Sequence, residues 1–235
     1  AVMSEKQKAL VYALGEDLRT LAEAEYNGIK WDSDGANKKL TTLSEKITAI
    51  NTTLSTYLPV ISHGKFNWDS GDCLSALIYG GTLEFLYSVP EPSVYKSGPS
   101  KGQSYVKNRW FTEVVSFPSR FKPLEGTELK KTKGVEGVRT RFYAVDDPTL
   151  AQLKTRKGTD KDLIQLLRER SKLLKVAEMI ESINKKRTEL NWQDDLLHAQ
   201  FNQNVAITGR LSSSNPNMQN TPAEIDQLLV SRYDD

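Results

Sequence analysis

A chain of 235 residues, 38% hydrophobic and 26% charged, has the length for one large domain or two small ones and is somewhat poor in apolar residues for a self-sufficient globule. Its formal net charge of +2 excludes a uniformly basic nucleic-acid binder, so any charge meant for a polyanion must be local. One cysteine, Cys73, excludes an internal disulfide and suits a reducing compartment, and the apolar runs are too short to span a membrane. The polar start carries no secretion signal, so the expected location is cytoplasmic.

Residues 4–26 read as a helix, because Leu10, Leu14, Leu18, Leu21 and Ala22 recur at helical spacing and Asn27-Gly28 is a stop signal. Ile29–Trp31 is a short extended piece. Ser33 or Asp34 can cap a second helix with the stripe Ala36, Leu40, Leu43, Ile47, Ile50, Leu54 and Leu58, about six turns long. Thr41, Thr42, Thr48, Thr52 and Thr53 lower its intrinsic propensity, so packing must hold it. A short helix over 71–80 follows a turn at Phe66-Asn67.

Residues 88–142 change character. Proline and glycine concentrate here, and Trp110–Val115 and Arg139–Tyr143 have strand composition. Between 95 and 142, eleven lysines and arginines face four glutamates. This basic, β-leaning insertion either extends a surface for a polyanion or docks a partner protein. Helices return at Asp147-Pro148. Asp160 can cap a helix running to about Arg187, with Leu163, Leu166, Leu167, Leu174 and Ala177 on one face and Arg168, Lys172 and Lys175 on the opposite one. Residues 197–220 should be extended and turn-rich, and Ile225–Arg232 a final short helix. The fold class is therefore mainly α with a small antiparallel β insertion (α+β).

The segment from Thr208 to Asn220 packs one arginine, three serines, three asparagines and one glutamine into thirteen residues. Few of these side chains help a core, and all donate hydrogen bonds. Their best physical match is the minor groove of a duplex, where A·T and T·A pairs present the same acceptors and only G·C adds a donor. Arg210 has the fork to reach two acceptors at once. Asn217, Gln219 and Asn220 supply amides, presented by an Asn-Pro-Asn turn; Asn202 and Gln203 follow the same logic. Ser212 and Ser213 either donate to phosphates or bond the local backbone. Arg168, Lys172 and Lys175 form a basic stripe that could track a phosphate backbone. His63 and His198 are far apart and near no cysteine, so no zinc spacing exists. No phosphate-cradling loop or serine or cysteine triad can be assembled, which leaves a hydrolase without residues.

Thr208 to Asn220, with Phe201-Asn202-Gln203 before it, resembles the primer-template motif of family A DNA polymerases. Three shorter matches precede it in the family's order. Leu21 to Asp32 resembles the "LAxMExxGVxVD" start of the thumb, Phe66 to Ser70 the "FNxxS" turn, and Arg168 to Lys172 the "RExxK" stretch of the long thumb helix. The resemblance spans residues 18–222 apart from the region near 88–142.

It implies the thumb and the first part of the palm of a phage-type member acting in the host cytoplasm. The divisions would be a thumb-entry helix at 1–32, thumb helices at 33–87 and 143–190, the insertion at 88–142, and the start of the palm at 191–235. Arg210 would contact the primer terminus, Asn217, Gln219 and Asn220 the template side, and Arg168 and Lys172 the phosphates; Leu174 replaces a lysine common in the family, with Lys175 beside it. The implied partners are primer-template DNA, a second polypeptide carrying the fingers and the rest of the palm, and an exonuclease domain or subunit. The family's two aspartates and its Mg²⁺ ions are not expected on this chain, which would be inactive alone. The alternative is a non-catalytic duplex-binding module derived from a polymerase.

Overall fold

The computed structural model describes residues 3–62, 65–129, 132–133, 139–140, 142–153, 158–203, 211–219 and 221–231. Helices dominate, with small antiparallel sheets. The chain divides into two units, one of 1–47 with 172–235 and one of 48–171. This division cuts across the expected boundaries, because two long helices each contribute to both units. Among the described residues no helix is long and apolar enough to cross a membrane.

In the first unit, α1 (Glu5–Asn27) ends where Gly28 turns the backbone at φ +65, and β1 (Ile29–Trp31) follows. A Cβ on Gly28 would sit 2.9 Å from both His198 Cε1 and the Leu197 carbonyl, so glycine is required for space as well as conformation. The expected stripe of α1 is only partly covered: Leu14 and Leu21 are half-buried, but Leu18 and Ala22 are exposed. What fixes its end is polar. The Nδ1–H of His198 donates to the Glu25 carbonyl at 2.8 Å, and the Glu25 carboxylate accepts from Phe201 N at 2.5 Å.

The second helix, α2 (Ser33–Ser55), is capped by Asp32 rather than by Ser33 or Asp34. The Asp32 carboxylate accepts from Gly35 N at 2.8 Å, and a Cβ on Gly35 would lie 2.1 Å from that carboxylate. Ser33 is engaged elsewhere, donating to Asp195 at 2.7 Å and accepting from Arg187, which also pairs with Asp195 at 2.5 Å. The stripe from Ala36 to Leu54 is buried or half-buried as spaced, but the helix stops at Ser55, before Leu58.

The core of this unit gathers Trp31, Ala36 and Leu43 with Val176, Ile180 and Ile183 of α5 (Gly158–Glu189), and with Leu197, Ile225 and Leu228. Trp31 is 1% exposed, and its indole N–H donates to Asn184 Oδ1 at 3.0 Å, which satisfies the buried donor. β1 is the middle strand of a three-stranded antiparallel sheet between β6 (Leu196–Leu197) and β9 (Leu229–Val230). The expected terminal helix is thus reduced to α6 (Ala223–Asp226), because Leu229 and Val230 pair with Trp31 and Lys30. A second small sheet pairs β7 (Gln200–Asn202) with β8 (Ser212–Ser214).

In the second unit, the turn after Phe66 leads to α3 (Gly71–Tyr79), whose cap Ser70 accepts from Cys73 N at 3.4 Å. Then comes a hairpin of two fourteen-residue strands, β2 (Gly81–Val94) and β3 (Ser104–Phe117), in one unbroken antiparallel register. It begins ahead of residue 88, and only the stretch around Trp110 announced it in sequence. Short β4 (Thr132–Lys133) and β5 (Arg139–Thr140) pair with each other. Then α4 (Asp147–Gln152) starts at the expected Asp147-Pro148, and α5 begins ahead of Asp160.

Candidate nucleic-acid interface

The segment that carries the amides is built on β7 and β8. Phe201 faces Ser213 and Asn202 faces Ser212 across this ladder. After β8 the chain turns through Asn215, where φ is +53, a conformation asparagine tolerates better than most residues. Burial then alternates: Pro216 is buried and Met218 packs against the Trp31 core, while Asn215, Asn217 and Gln219 are exposed. The apolar residues anchor the turn, and the alternation leaves three amide side chains on its outer side.

Ser213 holds this turn together. It is 7% exposed, its hydroxyl donates to Asn217 Oδ1 at 3.1 Å, and it accepts from Met218 N at 2.8 Å. Asn217 Oδ1 also accepts from Gln219 N at 3.1 Å. Ser212 donates to the Asn202 carbonyl at 3.3 Å, and Asn202 Nδ2 donates to Ser214 Oγ at 3.1 Å. Both serine hydroxyls thus donate inside the segment, Ser212 to the backbone and Ser213 to a side chain. With its oxygen committed, Asn217 has only its N–H₂ left to offer, and that group makes no hydrogen bond to a described residue. A donor is the group that minor-groove acceptors require. Asn215, not singled out in sequence, donates to Gln200 Oε1 at 3.0 Å. Gln203 follows β7, half-buried. Arg210 and Asn220 lie outside the described residues.

Along α5, Lys172 and Lys175 are exposed, while Val176 and Ile180 fill the core of the first unit. Arg168 belongs to the second unit and is occupied: its Nε donates to Asp147 Oδ1 at 2.6 Å and Nη2 to Asp147 Oδ2 at 3.2 Å. This two-pronged bond is the main reason that its guanidinium is held above its ordinary value. Arg168 thus ties α5 to α4 before it can serve any phosphate.

Sequence reasoning missed Arg170. It is 7% exposed and donates to Asn51 Oδ1 at 2.7 Å, to the Trp68 carbonyl at 3.2 Å and to Asp69 Oδ1 at 2.9 Å. One guanidinium therefore joins α5 to α2 and to the Phe66–Ser70 turn. The signal was available: Leu163, Leu167, Arg170 and Leu174 fall at helical spacing, so a charge stands in the apolar stripe. Among the described residues no group of three or more His, Cys, Asp or Glu side chains converges.

The sequence profile of DNA polymerase family A matches residues 121–232. The DNA polymerase I of Synechocystis sp. is 37% identical over 105 residues, covering 43% of this chain and 10% of that protein. The chain thus spans about a tenth of the curated relative's length. The POL domain of Pol1 from M. smegmatis, solved in complex with DNA primer-template and dNTP, shares the fold at a TM-score of 0.55 and 20% identity, covering 90% of this chain and 28% of that one. The amide-bearing turn lies inside the matched segment, so residues 121–232 are similar in sequence to DNA polymerase family A, and the fold is that of a polymerase domain over most of the chain.

Proposed function

We propose that this chain grips the primer-template duplex for a template-directed DNA polymerase in DNA replication, a nucleotidyltransferase. The observation that carries this reading is the alternation over 215–219, which buries Pro216 and Met218 and leaves Asn215, Asn217 and Gln219 outward. Amides at the outer side of an anchored turn test the geometry of a base pair without reading its identity. Arg210 and Asn220 carry the roles that the family resemblance implies, at the primer terminus and on the template side. Lys172 and Lys175 contact phosphates and set the salt dependence. Arg168, held by Asp147, and Ser212 and Ser213, held within the turn, shape the grip and do not touch DNA.

Duplex binding across a salt series tests the grip. Lys172→Ala should weaken binding regardless of sequence and reduce the salt slope by about one; an unchanged slope removes Lys172 from the interface. Primer extension tests the chemistry. The chain should extend a primer only when mixed with a polypeptide carrying the fingers and the rest of the palm. In that mixture Arg210→Ala should reduce extension far more than affinity, and equal losses would refute its terminus role.

A further inference from the structure

The two edges of the β2–β3 hairpin are unequal. The ladder runs without a bulge from Gly81 opposite Phe117 to Val94 opposite Ser104. Just beyond it, Tyr95 N donates to the Gln103 carbonyl at 3.1 Å, so odd-numbered residues form the hydrogen-bonded pairs. Even-numbered residues therefore direct their N–H and C=O groups away from the ladder, to the outer edges. On β2 two of those donors are missing, because Pro90 and Pro92 are even-numbered. On β3 the even-numbered residues from Ser104 to Val114 all keep theirs, and among the described residues no third strand pairs with them. The β2 edge is blunted and the β3 edge is open.

The same even-numbered side chains form one face of the ribbon. Leu86, Val94, Val106, Trp110 and Val114 all lie on it and are between 51 and 70% exposed. It carries no lysine or arginine, and Glu84 is its one charge. Such a face repels a polyanion, so this part of the insertion suits a protein partner.

We infer that the open edge of β3 pairs with the β3 edge of a second copy of this chain, antiparallel about a twofold axis at Trp110. The edge is self-complementary in that register. Val106 faces Val114 of the second copy, and Trp110 faces its own counterpart. On the other face, Lys107 meets Glu113 of the second copy and Arg109 meets its Phe111. No like charges oppose each other, and both twofold-related Lys–Glu pairs attract. Growth stops at four strands, because both remaining edges are β2 edges with Pro90 and Pro92. This inference stands apart from the duplex-gripping role and does not depend on it.

Sedimentation velocity of the full chain across the micromolar range tests it. The expected result is a monomer–dimer equilibrium, with tryptophan emission shifting to the blue as Trp110 is covered. Asn108→Pro removes one outward N–H from each copy and leaves the hairpin's own ladder whole; the dimer Kd should rise about ten-fold or more. Lys107→Glu should weaken the dimer by opposing two glutamates, and adding Glu113→Lys should restore it. Circular dichroism confirms that each variant folds. A chain monomeric throughout, an assembly larger than a dimer, or a dimer indifferent to both Asn108→Pro and Lys107→Glu overturns the inference. Pairing of the edge with a strand of a different protein, by a chain that stays monomeric alone, overturns it as well.

Discussion

Arg170→Ala should cost the second unit about 3 kcal/mol of stability. The guanidinium is almost fully buried and serves three acceptors on two different segments. The Asp69 side chain is 68% exposed, so water recovers its carboxylate and that bond counts for little. What remains is Asn51 Oδ1 and the Trp68 carbonyl, half-buried acceptors that lose their donor at about 1 to 1.5 kcal/mol each. The buried stem of the side chain adds about 1 kcal/mol of lost packing. Arg170→Lys keeps the charge, but a single ammonium cannot replace a fork shared between diverging acceptors, so about half the loss should persist. Asp69→Asn should cost under about 1 kcal/mol. Native-state hydrogen exchange at the amides of α3 and of α5 up to Ser171 reports this unit separately from the other. An alanine variant within about 0.5 kcal/mol of the parent chain would refute the account, and an Asp69→Asn loss as large as that of Arg170→Ala would assign the effect to the ion pair.

Two further substitutions test the first unit. Gly28→Ala forces a Cβ into a positive-φ position and to within 2.9 Å of His198 and the Leu197 carbonyl; a loss of about 2 kcal/mol or more is expected in thermal unfolding, and a neutral result would mean that the β1–β6 pair shifts freely. The carboxyl of Glu189 is held below its ordinary value of 4.5, first by the hydrogen bond from Lys186 and then by the Lys186 charge. A folded-state value lowered in this way stabilises above the ordinary value and fades as pH falls through the lower one, so Glu189→Gln should flatten the acid limb of melting temperature against pH. An acid limb as steep as the parent's would show that the pair contributes nothing.

The helices were legible because their stripes are regular. Ala36, Leu43, Ile50 and Leu54 are buried where helical spacing puts them, and Ile29–Trp31 is the strand that its position after Gly28 suggested. The first strand of the hairpin was not legible. Pro90 and Pro92 read as breaks, yet both sit where the strand needs no donor, and only the partner strand reveals that. Charge misled in two places. Arg168 and Lys172 read alike as members of one basic stripe, but Asp147, twenty-one residues away, claims Arg168. Arg170 was passed over although its register lies in the apolar stripe. The amide-bearing turn was visible from composition, whereas the inward commitment of Ser213 depends on Met218 being anchored by a core assembled from both ends of the chain.

The three-stranded sheet has a consequence for how the chain acquires its shape. Lys30 pairs with Leu196, 166 positions later, and with Val230, 200 positions later. A ribosome adding about 5 to 20 residues per second leaves β1 waiting roughly 10 to 40 seconds for its outer neighbour. The stretch 48–171 is continuous in sequence, whereas the first unit joins 1–47 to 172–235. The continuous stretch is synthesised whole while Trp31, a fully buried side chain of the first unit, still lacks the strands that will cover it. Of the two units, the interrupted one matures last and stays open to chaperones and proteases for longest.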